Sequence, residues 1–489
     1  MIRTFLALTL LAGSFISTHG ADLADLEGRL KVAHQLAREL NDRDLVARIE
    51  KTGKGLRRPE TDKATALDQQ VRELETLVGI DPGGWSMSGL KIFRPTPQIQ
   101  QALKPLGAKL SSAMEQADVS SVKATIAEMT RVMGDQAGTP DARHKGERAR
   151  KVSVSEAENA AIFLRALESD GQSIRQIRAG QPLTGQMLRT YASLARAICD
   201  IRPAVQKHAP DRLAELDAVL EGACRILLDL QQPEGYFPFP DLRGKNIRFG
   251  EMTEHLLEQG AVKIRDGWIV SVDPSGGSQF DTGECGLALL KAGALLGHKD
   301  WTKAGLKAAA WAMEQKCVAN FNYNAFSVSL LAQAYVTTKE EKYWQAAWHK
   351  WSLGVAPGQT ANGRWIDPHN ARTGYHLIIV RAMNDLLAAM PSTFNTVEVS
   401  ALRQAAGRAI QVVTDEFARL GVTNTSFALR ELIRFRDLRP ADMPELPTVV
   451  EQAAAVVYSR SVQGDRAKFG ASATELAIMY QAFAPAGTP

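Results

Sequence analysis

From about residue 152 to residue 485 the chain repeats one cycle: a segment rich in Ala, Gly and Leu, a short turn, an amphipathic segment, then a longer polar loop. Segments of the first kind begin near Glu156, Gly185, Asp281, Asn322, Ala371, Asn424 and Ala471, and segments of the second near Asp211, Trp301, Glu340, Val397 and Leu446. A helix-loop-helix unit recurring every roughly 40 to 60 residues cannot bury its apolar face alone, so neighbouring units must stack. Gly286, Ala288 and Gly293 suit an inner layer packed closely around an axis, where large side chains would force the layer apart. Strand-like alternation is absent. The expectation is an all-α fold, an α/α toroid of about six helical hairpins over 152–485.

One joint is distinctive. A helix closing with Leu227-x-x-x-Gln231 turns on Gly235, presents Phe237, and after a loop a new helix opens on Phe280-Asp-Thr-Gly-Glu-Cys. This resembles the Gln-x-x-x-Gly-x-Trp joints of α/α toroids in terpene cyclases, protein prenyltransferase β subunits and toroidal pectate lyases, with Phe237 in place of Trp. The resemblance implies a fold and a site location: the loops leading into the inner helices open at one face of the ring.

The first twenty residues carry Arg3, an apolar run from Phe5 to Ala12 and a small, polar end at Gly20. That is the pattern of a cleaved secretory signal, too short to span a bilayer, so a periplasmic or secreted address is expected. Residues 21–151 read as a helical N-terminal region, with Gly79–Gly84 as a break and the basic stretch Gln136–Lys151 as a linker. With a formal net charge of +4, 54 acids balancing the basic residues and no long basic patch, nothing suggests a nucleic-acid binder, and no later stretch is apolar enough for a membrane span. Cys199, Cys224, Cys285 and Cys317 make no disulfide framework, and they read mainly as small buried residues, with one bridge or a metal ligand as the alternative.

The inner-helix starts are unusually polar: Asp281 to Glu284, Asn320 to Asn324, Asp367 to His376 and Thr423 to Ser426. Helix capping explains a single Asp, Asn, Ser or Thr at each start. It does not explain Asp367, His369, Asn370, Arg372, Tyr375, His376 and Arg381 within fifteen positions. Arg372 and His376 fall one turn apart on a helix, with Tyr375 adjacent. The alternative is that Tyr375 and His376 fill core and Arg372 makes a surface pair. Tyr236, Phe237, Phe239, Trp268, Tyr323 and Trp365 lie in or beside the same loops, where flat rings either stack on sugar or anchor the loops.

These residue types suit β-elimination on an acidic sugar, which needs a group to neutralise the carboxylate, a base for the neighbouring C–H and an acid for the leaving oxygen. Asn324, His369 or His376, Tyr375, and Arg372 or Arg381 are the candidates, with Tyr236, Phe237, Asp281, Glu284, Asn322, Tyr323 and Trp365 as candidate substrate contacts. The order Asn, His, Tyr with Arg nearby resembles the catalytic set of toroidal lyases that cleave uronate polysaccharides, which implies an acidic polysaccharide or oligosaccharide as partner. The sequence marks no definite cofactor and leaves room for a divalent cation. Three alternatives stay open. A glycoside hydrolase would pair two carboxylates about 5 to 9 Å apart, drawn from Asp241, Asp281, Glu284 and Asp367. A zinc enzyme would use Asp281, Cys285 and His376. A non-catalytic toroid would bind a glycan or protein at the same mouth.

Overall fold

Runs such as Leu287-Ala-Leu-Leu-Lys-Ala292 favour the helical backbone and offer no Ser, Asp or Asn side chain to compete with it. In the computed structural model, residues 23–39, 42–56, 64–78, 97–134, 146–243, 247–272, 276–367, 370, 372–438, 443–462 and 471–485 are described. The expected secretory signal, the Gly79–Gly84 break, residues 136–145 of the expected linker and His369 lie outside these residues.

The N-terminal helices are α1 (Leu23–Glu39), α2 (Arg43–Leu56), α3 (Ala64–Val78), α4 (Pro97–Glu115) and α5 (Val119–Met133). Helices α1 to α3 gather Leu26, Leu30, Ile49, Val71 and Leu74 into a small core of their own. Helices α4 and α5 instead contribute Leu110, Met114, Val122 and Ile126 to the main core. The region read from sequence as one unit thus divides by packing. The end of the expected linker is docked: Glu147 bridges Val422 in antiparallel fashion and pairs with Arg460 at 2.6 Å.

The remaining helices are α6 (Glu156–Ser169), α7 (Gly171–Arg178), α8 (Leu188–His208), α9 (Leu213–Leu230), α10 (Ile247–Glu258), α11 (Ser278–Leu296), α12 (Lys299–Glu314), α13 (Phe321–Thr338), α14 (Glu341–Gly354), α15 (Thr373–Ala389), α16 (Thr396–Leu420), α17 (Ala428–Leu438), α18 (Leu446–Val462) and α19 (Ala471–Ala477). Helix α8 packs on α11, α11 on α13, α13 on α15, α15 on α17, α17 on α19, and α19 back on α8. Against the outside of this succession lie α9, α12, α14, α16 and α18, each on its own hairpin partner, while α6 covers α8 and α19. The fold is all-α and its contacts close as an α/α toroid. The Glu156 segment, expected inside, is the outer partner of α19, and its polar positions Glu156 and Glu158 face solvent or its edge. The inner layer is as tight as its small residues require: a Cβ on Gly286 would fall 2.8 Å from Ala308 on α12 and 2.9 Å from Leu330 on α13.

The Gln231 joint works as a hook. Its side-chain N–H group donates to the Gly235 carbonyl at 3.0 Å and to the Ala304 carbonyl of α12 at 2.9 Å. Gly235 has φ +110°, and a Cβ there would sit 2.6 Å from the Lys307 carbonyl oxygen. A second hook, not recognised from sequence, follows α14: Gln359 donates to Gly363 at 3.1 Å and to Ala405 of α16 at 2.9 Å, with Gly363 at φ +85° and Trp365 completing the pattern. Each hook ties one hairpin to the next.

Between α9 and α11 the chain makes its one long excursion among the described residues, carrying α10 and a small antiparallel sheet of β1 (Phe239–Pro240), β2 (Ile264–Arg265) and β3 (Trp268–Ile269) in the order β1-β3-β2. Leu256, Val262 and Ile269 form a separate apolar cluster beneath it, with Phe239 at its edge.

Candidate active site

Alternation of inner and outer helices runs the inner ones parallel, so their first turns share one end, the mouth. Each inner helix then presents one stripe to the ring axis. On α8 the stripe is Arg189, Ser193, Arg196 and Asp200; on α11 it is Asp281, Glu284 and Lys291; on α13, Asn322, Phe326 and Ser329; on α15, Arg381 and Asp385; and on α17, Arg430 and Arg434, with Phe427 just before the helix.

Below the mouth the axis is filled with ion pairs. Glu284 contacts Arg196 and, at 2.5 Å, Arg381, and all three side chains are about 2% exposed. Burial pushes the Glu284 carboxyl up, but the two guanidiniums outweigh it and hold the group below its ordinary value. Deeper, Arg430 pairs with Asp200, and Arg434 with Asp385 at 2.7 Å and with Glu431 at 3.1 Å. The Asn384 amide donates to Glu431 at 2.8 Å. Glu475 of α19 accepts the backbone N–H of Arg430 at 3.1 Å, and burial raises its carboxyl from 4.5 to about 8.

Glu475 carries a pH prediction. Its folded pKa lies above the unfolded one, so its stabilising contribution is complete below about pH 4.5 and is lost as pH rises through about 8. Glu475→Gln keeps the neutral shape and is expected to flatten this loss, which runs at up to about 1.4 kcal/mol per pH unit. Thermal unfolding across pH 4 to 9 checks it, and equal slopes in both proteins count against it.

The mouth has a different character. The Arg189 guanidinium lies 4.0 Å over the Phe280 ring and 5.6 Å from the Phe239 ring of β1, and Phe280 stacks on Phe326 at 3.9 Å. Arg189 Nε is 3.7 Å from Asp281 Oδ1, a pair too long for a hydrogen bond. Burial raises the Asp281 carboxyl, against Arg189 and with help from the nearby Glu284 charge. In the first turn of α13, the Asn322 side-chain amide is buried with neither its oxygen nor its nitrogen hydrogen-bonded, an arrangement that costs about 1–3 kcal/mol. Arg372 stacks 4.1 Å over Tyr375 at the start of α15, and Tyr375 and Tyr323 are partly exposed.

Several expected site residues are committed elsewhere. Asn324 donates to the carbonyls of Val318 at 2.8 Å and Gly354 at 2.7 Å and accepts the Val318 N–H, so it locks a loop and offers nothing to a substrate. His376 points away from the axis: its Nε2 is 2.8 Å from the Ala409 carbonyl of outer helix α16 and its ring lies 5.5 Å from that of Trp365. Burial, with Arg364 adding to it, pushes His376 well below its usual range, so it is neutral. The one-turn spacing from Arg372 placed them on one helix but not on one face, because Arg372 precedes the first helical residue, Thr373. Trp365 donates to Val355 at 2.7 Å, Tyr236 to Val270 at 2.7 Å, and Phe237 is core. Arg381 and Glu284 are on the axis but bound to each other. Cys285 is buried, and among the described residues no group of three His, Cys, Asp or Glu is arranged to hold a metal, so the zinc set does not assemble. All four cysteines are free thiols.

Sequence reasoning missed Arg189 and Arg196. Their signal was a polar stripe at i, i+4, i+7 and i+11 on a helix whose other faces, Tyr191, Leu194, Ala195 and Ile198, are fully buried. A surface groove bounded by Ala157, Leu164, Glu168 and Arg212 lies on α6 and the turn before α9, away from the inner-helix starts. Among the described residues no helix is long and apolar enough to cross a membrane.

No family model matches the chain, and no curated protein matches it. A solved structure named as a polysaccharide lyase is similar at 11% identity, covering 67% of this chain and 97% of its own, with a TM-score of 0.42.

Proposed function

We propose that the chain is a polysaccharide-cleaving enzyme that acts at the mouth of the ring on a uronic-acid-containing polymer by β-elimination. One observation carries the reading: a guanidinium held over an aromatic ring stands beside a buried carboxyl raised toward the protonated form, Arg189 on Phe280 next to Asp281. The cation neutralises the substrate carboxylate and so acidifies the C–H beside it, and the unengaged Asn322 amide supplies a hydrogen bond to the same group. Asp281, in its ionised form, takes that proton. The electron pair becomes the C=C bond as the C–O bond to the leaving sugar breaks, and the Tyr375 hydroxyl protonates the departing oxygen, with Arg372 held against its ring. A raised pKa suits Asp281 to this exchange better than an ordinary aspartate.

Hydrolysis fits less well. Glu284 is closed in by two arginines, and Asp241 is clamped by Arg243 at 2.8 Å, which leaves Asp367 as the remaining carboxylate of the set that a hydrolase would have to place opposite Asp281. In this reading the apolar N-terminal run exports the chain to where such polymers are found.

Incubating the purified protein with a panel of uronate polysaccharides tests the proposal. Absorbance from unsaturated uronate should rise. New reducing ends without that absorbance would mean hydrolysis, and neither product would leave a binding protein.

A further inference from the structure

Glu416 sits on outer helix α16, on the far side of α15 from the axis, yet both of its carboxylate oxygens are engaged by the loops of the mouth. Oε2 receives the Arg364 guanidinium. Oε1 receives the Thr373 hydroxyl at 2.5 Å, at the first turn of α15, and also the Thr423 hydroxyl, in the loop before α17. The two hydroxyl oxygens are 3.2 Å apart, both aimed at the same acceptor. Arg364 extends the connection by donating from Nη1 to the Asn370 carbonyl at 3.1 Å. All four side chains are buried, so these charge-assisted bonds are not in exchange with water.

Capping one helix needs one bond. This carboxylate instead joins two loops some 50 positions apart in sequence, and the two meet again beside it: a Cβ on Gly374 would lie 3.1 Å from the Asn424 amide nitrogen. Gly374 immediately precedes Tyr375, and Asn424 immediately follows Thr423. We infer that Glu416 is a positioning residue, which fixes the Arg372–Tyr375 pair against the Asn424 loop. The inference rests on the reading above, in which Arg372 and Tyr375 face the substrate. A displacement of about 1 Å at such a pair costs on the order of 100-fold in rate.

Glu416→Gln removes the charge and replaces one of the two acceptor oxygens with a donor, but breaking a buried ion pair can unfold a domain. Thr423→Val is therefore the more informative variant, because it cuts only the link between the loops, and Thr423→Ser restores the hydroxyl. With the full chain on a uronate polymer, Thr423→Val should lower kcat about 10-fold or more with KM changed less than about threefold, and Thr423→Ser should recover most of it. Amide hydrogen exchange should quicken together in residues 364–375 and 421–427 in the Val variant, with α11 and α13 unchanged. Unchanged exchange in the two segments overturns the inference, as does quickening throughout the ring or a Ser variant no better than Val. If the wild-type protein cleaves nothing in the panel, the polysaccharide reading falls, while the exchange comparison still decides whether Glu416 couples the two loops.

Discussion

Glu284→Gln is expected to lower the stability of the ring by about 3–5 kcal/mol, the usual cost of removing one partner from a buried ion pair. That is a large share of the roughly 5–15 kcal/mol that holds a domain folded. The reason is local. Arg196 and Arg381 approach the same carboxylate from α8 and α15, each about 2% exposed, and neither has water to turn to when the charge is lost. Phe326 and Phe427 lie 5.1 and 5.2 Å from the Arg381 guanidinium and soften its isolation without replacing an anion. Urea denaturation of the two proteins measures the difference. A loss under about 1 kcal/mol would show that the axis is hydrated and that the arginines find other partners. Restoring neutrality by also replacing both arginines with methionine should recover much of the loss, since well-packed apolar groups often equal a buried ion pair.

Asp281→Asn should reduce kcat on a uronate polymer by about 10²- to 10⁴-fold, the range for losing a general base, while leaving the fold intact. The fold is spared because burial already favours the neutral carboxyl, whose shape the amide copies. The pH profile gives the sign. A base must be ionised to act, so wild-type activity should climb with pH on a limb lying above the ordinary aspartate value of 3.8, the direction in which burial moves this group. That limb should be missing from what activity the variant retains. Full activity in Asp281→Asn, or an unchanged acid limb, would move the base elsewhere.

The architecture was legible because it is written in helical periods. The inner starts near Asp281, Asn322 and Ala471 and the outer starts near Trp301, Glu340 and Val397 fall within about three residues of observed helices. The Glu156 helix was misplaced because its Ala-rich middle resembles an inner segment, and only its partners, α8 and α19, reveal that it covers the seam. The site was less legible. Composition drew attention to the polar starts, but the direction in which a side chain leaves its helix depends on where the first turn begins. A shift of one residue there sends His376 outward to Ala409 and leaves Tyr375 near the mouth. The ion pairs were invisible for another reason: Arg196 and Glu284, or Arg430 and Asp200, are far apart in sequence, and only ring closure makes them neighbours.

Closure also has a consequence for how the protein is made. The flank of α8 that α19 covers belongs to the first inner helix, and its cover is the last. The Asn159 amide on α6 completes the seam by donating to the Leu476 carbonyl at 2.8 Å and accepting the Tyr480 N–H at 2.9 Å, across more than 300 residues of chain. During synthesis the early hairpins emerge and stack while this flank, on a helix with a row of fully buried alanines and isoleucines, has nothing to rest on until α19 has been made. A chain cut short ahead of α19 is therefore expected to expose that apolar flank, the kind of surface that chaperones bind.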